Sequence, residues 1–177
     1  GGYGFAVMRS DAHRPAMPDD LVRQIEPLHQ AIAASGWNIL MQDGVEADDV
    51  IGTIAKRALT RGIDTVIVTG DKDFMQLVSK QTKDSKPGIT LYDDMKERMI
   101  GIDEVREKFG VPPERVVDVL ALLGDATDNI PGVRGLGEKT APKVIAERGG
   151  VEEIYASLDR IDGRIRKLLE ANRDSAF

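Results

Sequence analysis

Three groups of carboxylates stand out for the chemistry they could do together. The first is Glu46, Asp48 and Asp49, the second Asp71 and Asp73 on either side of Lys72, and the third Asp125 and Asp128. The chain has no cysteine, and its two histidines are His13 and His29. Thiolate ligands are therefore excluded, and a histidine-rich zinc site has little to draw on. Hard oxygen donors favour Mg²⁺ or Mn²⁺. Like charges gathered in one crevice also repel unless a cation compensates them. Two such ions about 3.5–4 Å apart would suit phosphodiester cleavage, one activating water and one stabilising the leaving oxygen. Glu46, Asp48, Asp49, Asp71 and Asp73 are the candidate catalytic residues, and Asp125 and Asp128 join them as candidate metal ligands. Each group also has a plain alternative, since acids relieve the dipole in a helix's first turn and Asp after Gly is ordinary turn chemistry.

A second constellation follows the third acidic group. In the run from Ile130 to Thr140, Gly132, Gly135 and Gly137 permit a tight turn between helices and a close approach of backbone N–H groups to an anion. Arg134, Lys139, Lys143 and Arg148 surround that turn with positive charge. The pattern has the form of a helix-hairpin-helix, which grips a DNA backbone without reading its sequence. The alternative is a glycine-rich loop between helices. Gly132, Arg134, Gly135, Gly137, Lys139, Thr140 and Lys143 are the candidate DNA-binding residues.

Elements must hold these groups in place. The first dozen residues show no period and read as a loose terminus. A helix is expected from Pro18, with Leu21, Val22, Ile25, Leu28 and Ile32 as its apolar stripe, Pro27 kinking or dividing it, and Gly36 ending it. Trp37 to Met41 reads as a short buried strand with Trp37 in the core. Glu46 to Arg61 is the clearest helix, with Val50, Ile51, Ile54, Ala55, Ala58 and Leu59 on one face. Thr65 to Thr69 reads as a fully buried strand. This strand–helix–strand order predicts a parallel sheet of the α/β class. Strand ends and helix starts share one edge of such a sheet, so the first two acidic groups are expected to converge there. Lys72 would either approach a phosphate or be solvated. Strands are expected at Ile89–Tyr92 and Arg98–Ile100, then helices near 102–109, 113–123, 138–148, 151–157 and 162–172. Two regions result: 1–100, an α/β sheet region, and 101–177, all helical.

Composition fits this reading. Apolar residues make up 41% and charged residues 31% of 177, a globular mixture. No apolar run is long enough for a membrane span. The net charge of −6 would argue against a nucleic-acid partner. The candidate ligands account for that acid, while residues 134–148 carry a net +2 and 160–173 a net +3.

The segments RPAMPDDL, GVEADDVIGTIA, VTGDKDFMQLV, FGVPPERVVDVLALLGDATDNIPGVRGLGEKTA and LEANRD together resemble the 5′→3′ exonuclease domains of bacterial DNA polymerases I. These belong to the flap-endonuclease family of PIN-like nucleases, and the likeness runs from about His13 to Phe177. It implies a PIN-like parallel sheet followed by a helix-hairpin-helix module. It implies a metal-dependent 5′ nuclease that removes 5′ flaps and RNA primers at nicks during DNA replication and repair. Glu46, Asp48 and Asp49 match the family's central metal carboxylates, Asp71 and Asp73 the next pair, and Asp125 and Asp128 the last. The glycine turn matches the element that holds downstream duplex, often with K⁺. A bacterial cytoplasmic, nucleoid-associated location is implied as well, while the sequence leaves open whether a C-terminal polymerase domain follows Phe177 in the parent protein.

Three departures accompany the likeness. The family's early strands, with their metal-binding Asp residues, have no counterpart, so the chain is expected to be truncated at its N-terminus. Ser10 and Asp11 stand where an aromatic and a basic residue are usual. Pro142 falls early in the helix after the glycine turn. The chain is accordingly expected to fold less stably and cleave poorly. The competing expectations are a DNA-binding module without catalysis and, more distantly, a small PIN-type ribonuclease.

Overall fold

Asp19 and Asp20 favour the positive end of the first long helix, α1 (Asp19–Ala34). The helix runs unbroken past Pro27, so the expected division there does not occur. Proline removes one backbone donor, and the rest of the ladder carries the helix through. Ser35 donates to the Ala31 carbonyl at 3.0 Å, and Gly36 (φ 82°) turns the chain out of the helix. A computed structural model describes residues 5–7, 17–125, 130–161 and 163–176. The chain divides into two compact units, Gly1–Ala58 and Leu59–Phe177.

In the first unit, β1 (Phe5–Val7) pairs in parallel with β2 (Asn38–Leu40), Ala6 opposite Ile39. The N-terminal stretch thus contributes a strand that its sequence did not announce. Three residues are too few to display a period. Trp37 is 55% exposed, so its expected place in the core is wrong. The helix α2 (Ala47–Thr60) opens with Asp48 and Asp49 in its first turn, and Gly62 (φ 68°) follows its end. Ala47 and Ala55 are its buried residues, whereas α1 has none.

The second unit is built on a separate sheet of order β3-β4-β5. β3 (Thr65–Val68) runs parallel to β4 (Ile89–Asp93), and β4 antiparallel to β5 (Arg98–Ile100). The expected strand–helix–strand sheet is therefore corrected: β2 pairs with β1, and β3 with β4. Nor is β3 fully buried, for Val66 and Val68 are 52% and 64% exposed while Ile67 is buried. The β4 strand is the central one, and Ile89 and Leu91 are almost completely enclosed. Asp64 ties the sheet's start together, accepting from Lys80 Nζ at 2.6 Å and from the Gly88 N–H at 3.1 Å. That lysine holds the Asp64 carboxyl below its ordinary range.

Helices complete this unit: α3 (Ile102–Phe109), α4 (Val116–Leu123), α5 (Ala141–Arg148), α6 (Val151–Ala156), α7 (Gly163–Ala171) and α8 (Arg173–Ala176). Pro113–Arg115 forms a 3-10 turn leading into α4. Val116, Val119 and Leu122 of α4 are fully buried, spaced as one helical face. Truncating one such side chain costs about 2–5 kcal/mol. Asp118 Oδ1 accepts from the Val151 N–H at 2.9 Å, capping α6 from α4, and Arg115 bridges Asp118 and Glu153 at 3.3 Å each. Pro142 sits in the first turn of α5, where its missing N–H costs little.

Candidate functional site

The chain leaves β3 through Thr69, whose N–H donates to the Tyr92 carbonyl at 3.0 Å. The Asp71 N–H donates to Thr69 Oγ1 at 3.0 Å, and Asp71 Oδ1 accepts the Asp73 N–H at 2.9 Å. Asp71 thereby caps the 3-10 turn Lys72–Leu77, which Phe74 and Met75 anchor in the core. These contacts fix Asp71, Lys72 and Asp73 at the end of the sheet where β3 and β4 both point their C-termini.

Asp125 reaches the same place from the helical side. Gly124 (φ 77°) ends α4, and Asp125 then exchanges backbone hydrogen bonds with Ile130 at 2.9 and 2.8 Å. The Val133 N–H returns to the Leu122 carbonyl at 2.8 Å. Gly132 (φ 60°) packs so tightly on Gly124 that a Cβ there would overlap the Gly124 nitrogen. Two glycines thus close the loop bearing Asp125. Lys72 Nζ meets Asp125 Oδ2 at 2.5 Å, with 9% of the Asp125 side chain exposed and 40% of Lys72. Asp125 holds the Lys72 ammonium above its ordinary pKa, against partial desolvation, and the charges of Asp73 and Asp71 add to the effect. Plain solvation, one of the two expectations for Lys72, does not describe it.

The Lys72–Asp125 contact thus brings Asp125 beside the segment that carries Asp71 and Asp73. Asp128 lies outside the described residues. Glu46 and Asp49 are exposed and Asp48 half-buried at the start of α2, in the first unit. Among the described residues, no three Asp, Glu or His side chains stand at metal-holding spacing. The donors nonetheless fit a hard divalent ion in kind. All are carboxylates, and Asp125 already holds a cation, the Lys72 ammonium.

The sequence reading missed a basic group at this same end of the sheet. Lys96 Nζ meets the buried Asp93 at 2.7 Å, and the Lys96 N–H also donates to Asp93 Oδ1 at 3.1 Å. Arg98 is opposite Asp93 in the β4–β5 ladder, and Glu97 (φ 50°) closes the turn between them. Lys108, near the end of α3, lies 5.5 Å from the centre of the Phe109 ring. Loss of water contact and then repulsion from Lys96, Lys72 and Arg98 push the Lys108 ammonium below its ordinary value. A single Lys or Arg in each of several segments gives no local signal; only their meeting does.

In the glycine turn, Arg134, Lys139 and Lys143 are exposed. Gly135 takes φ 87°, and Gly137 accepts at its carbonyl from the Thr140 and Ala141 N–H groups at 2.8 and 3.0 Å. The helix that follows starts at Ala141, later than the expected Glu138. Thr140 stands at its N-cap position without a side-chain capping bond.

Residues 9–110 match the family described as 5′-3′ exonuclease, N-terminal resolvase-like domain. Residues 111–177 match 5′-3′ exonuclease, C-terminal SAM fold. DNA polymerase I of Pseudomonas aeruginosa is 47% identical over 174 residues, covering 94% of this chain and 18% of that protein. The chain thus spans about one fifth of the length of this relative. Among solved structures, T5 5′-exonuclease with divalent zinc ions bound superposes with a TM-score of 0.74 at 25% identity, covering 94% of this chain and 60% of that one. The bacteriophage T5 flap endonuclease in a pseudo-enzyme–product complex with DNA and metal ions gives 0.74 at 23% identity, covering 94% and 60%. No described helix is long and apolar enough to cross a membrane.

Proposed function

The chain belongs to the 5′-3′ exonuclease family, and from that premise we propose that it is a metal-dependent nuclease acting at 5′ ends and 5′ flaps of DNA, within a longer polymerase of the DNA polymerase I kind. The observation that supports this reading is the contact of Asp125 with Lys72, which stands between Asp71 and Asp73 at the end of the sheet where Lys96 and Arg98 also lie. Carboxylates beside clustered cations suit a phosphodiester whose flanking phosphates need holding while its reacting oxygens need positive charge.

In the second unit Asp71, Asp73 and Asp125 would hold Mg²⁺ or Mn²⁺; Glu46, Asp48 and Asp49 of the first unit, and Asp128 outside the described residues, are ligand candidates on sequence grounds. Bound there, such ions supply an activated water and a counter-charge for the leaving oxygen. The remaining work belongs to the chain. Asp71 fixes the turn that presents Lys72 and Asp73. Arg134, Lys139 and Lys143 grip a duplex backbone around the Gly132–Gly137 turn, with Thr140 and the start of α5 beside them, and K⁺ is a fitting companion there. Nicked duplex, 5′ flaps and RNA primers are the substrates this arrangement suits.

A 5′-labelled flap duplex incubated with the chain and Mg²⁺ or Mn²⁺ tests the reading. Cleavage near the flap base is expected, lost on addition of EDTA and reduced at least about a hundredfold in Asp71→Ala and Asp73→Ala. A second reading, binding without cleavage, is favoured by the absence of three carboxylates at metal-holding spacing among the described residues. Duplex binding that persists unchanged in Asp71→Ala, with no product in either protein, would decide for it.

A further inference from the structure

The described carboxylates suit a divalent ion in kind, and among the described residues no three of them stand at metal-holding spacing. In the second unit one of them already has a cation. The Asp125 carboxylate, largely buried, is already engaged by the Lys72 ammonium at 2.5 Å. We propose that Lys72 is a built-in counter-cation that competes for Asp125 and so sets the divalent-ion affinity of the site. The inference rests on the reading of Asp71, Asp73 and Asp125 as metal ligands.

Two features support it. A charge-assisted bond to a carboxylate withdrawn from water is among the stronger polar contacts a protein makes. An ion bound through Asp125 would share that carboxylate with the ammonium at Oδ2, so the Lys72 bond counts against the ion's. Second, Lys72 is well placed to let go. Its side chain is 40% exposed on a flexible four-carbon stem, so the released ammonium regains water. A nucleic-acid phosphate is an alternative partner for the released lysine, which would make backbone binding and ion binding favour one another.

The test is Mn²⁺ titration calorimetry on the complete 177-residue chain after removal of metal with EDTA. Lys72→Met is expected to tighten Mn²⁺ binding at least about tenfold, the exchange value of one charge-assisted bond. Lys72→Arg keeps the competing charge and stays near wild type. The gain from Lys72→Met should vanish in an Asp125→Asn background, because competition acts through that one carboxylate. A gain that survives in Asp125→Asn would reduce the effect to general electrostatics and overturn the proposal. Equal affinity in wild type and Lys72→Met would overturn it while leaving the metal reading intact. No Mn²⁺ binding by either protein would instead remove the metal reading and the proposal with it. Lysine side-chain NMR on the wild type needs no variant: the Lys72 resonances should shift as Mg²⁺ is added, and stationary Lys72 signals alongside shifting backbone signals of Asp71 and Asp73 would also overturn the proposal.

Discussion

Gly124 and Gly132 face each other across the loop that carries Asp125, and neither position has room for a methyl group. At Gly132 a Cβ would overlap backbone, which cannot move aside as a flexible side chain could, and its φ of 60° already disfavours L-residues. Gly132→Ala is expected to cost more than about 1 kcal/mol from φ alone, with the clash added. Urea denaturation will show it, as will separation of Lys72 from Asp125 if the loop shifts to relieve the overlap. Asp93 offers a pH signature. Lys96 holds its carboxyl below the ordinary 3.8 through a hydrogen bond, helped by the Lys96 N–H and by the charges of Lys96 and Arg98. The folded form therefore binds this proton less readily than the unfolded form. Its stabilisation is complete above the ordinary carboxylate range and fades as pH falls through the lower, folded value. Asp93→Asn should be less stable than wild type at neutral pH and lose less stability on acidification. Paired urea melts at pH 7 and near pH 3 check both parts.

Elements, rather than single residues, bring the basic group together. The β4–β5 turn supplies Lys96, β5 supplies Arg98 and the last turn of α3 supplies Lys108. Arg98→Glu and Lys108→Glu are each expected to weaken binding to nicked duplex and to lower the salt dependence by about one counter-ion for each phosphate no longer neutralised. An unchanged slope of log affinity against log salt would place the nucleic acid elsewhere. The helical side is held by a different device. Asp118 of α4 caps α6, and removing such a cap costs about 1 kcal/mol. Asp118→Ala should therefore lower the melting temperature by a few degrees.

On the scale of the molecule, the two units differ in how much they bury. The described core residues with less than 2% exposure, among them Ile89, Leu91, Val119, Leu122, Ile154 and Leu169, all belong to Leu59–Phe177. In the first unit, α1 has no buried residue and leaves Leu21, Val22 and Leu28 about half exposed. Local opening free energy follows buried apolar contact. Amide hydrogen exchange in α1 should therefore be faster than in α4 by orders of magnitude, and equal protection in the two helices would contradict that assignment.

The helices α2 and α3 were legible along the chain, although α5 starts three residues later than its sequence suggested. Apolar spacing marked α2 and the order of motifs marked the family, both of them features carried by neighbouring residues. Strand partners were not legible in this way. β2 pairs with β1 and β3 with β4, because a short apolar run carries no address for its neighbour, and Trp37 is left exposed although its composition suggested a core. The contact of Lys72 with Asp125, and the repulsion that Lys108 feels from Lys96, Arg98 and Lys72, likewise arise between segments far apart along the chain. Coulomb forces act on distance through space, and folding sets that distance.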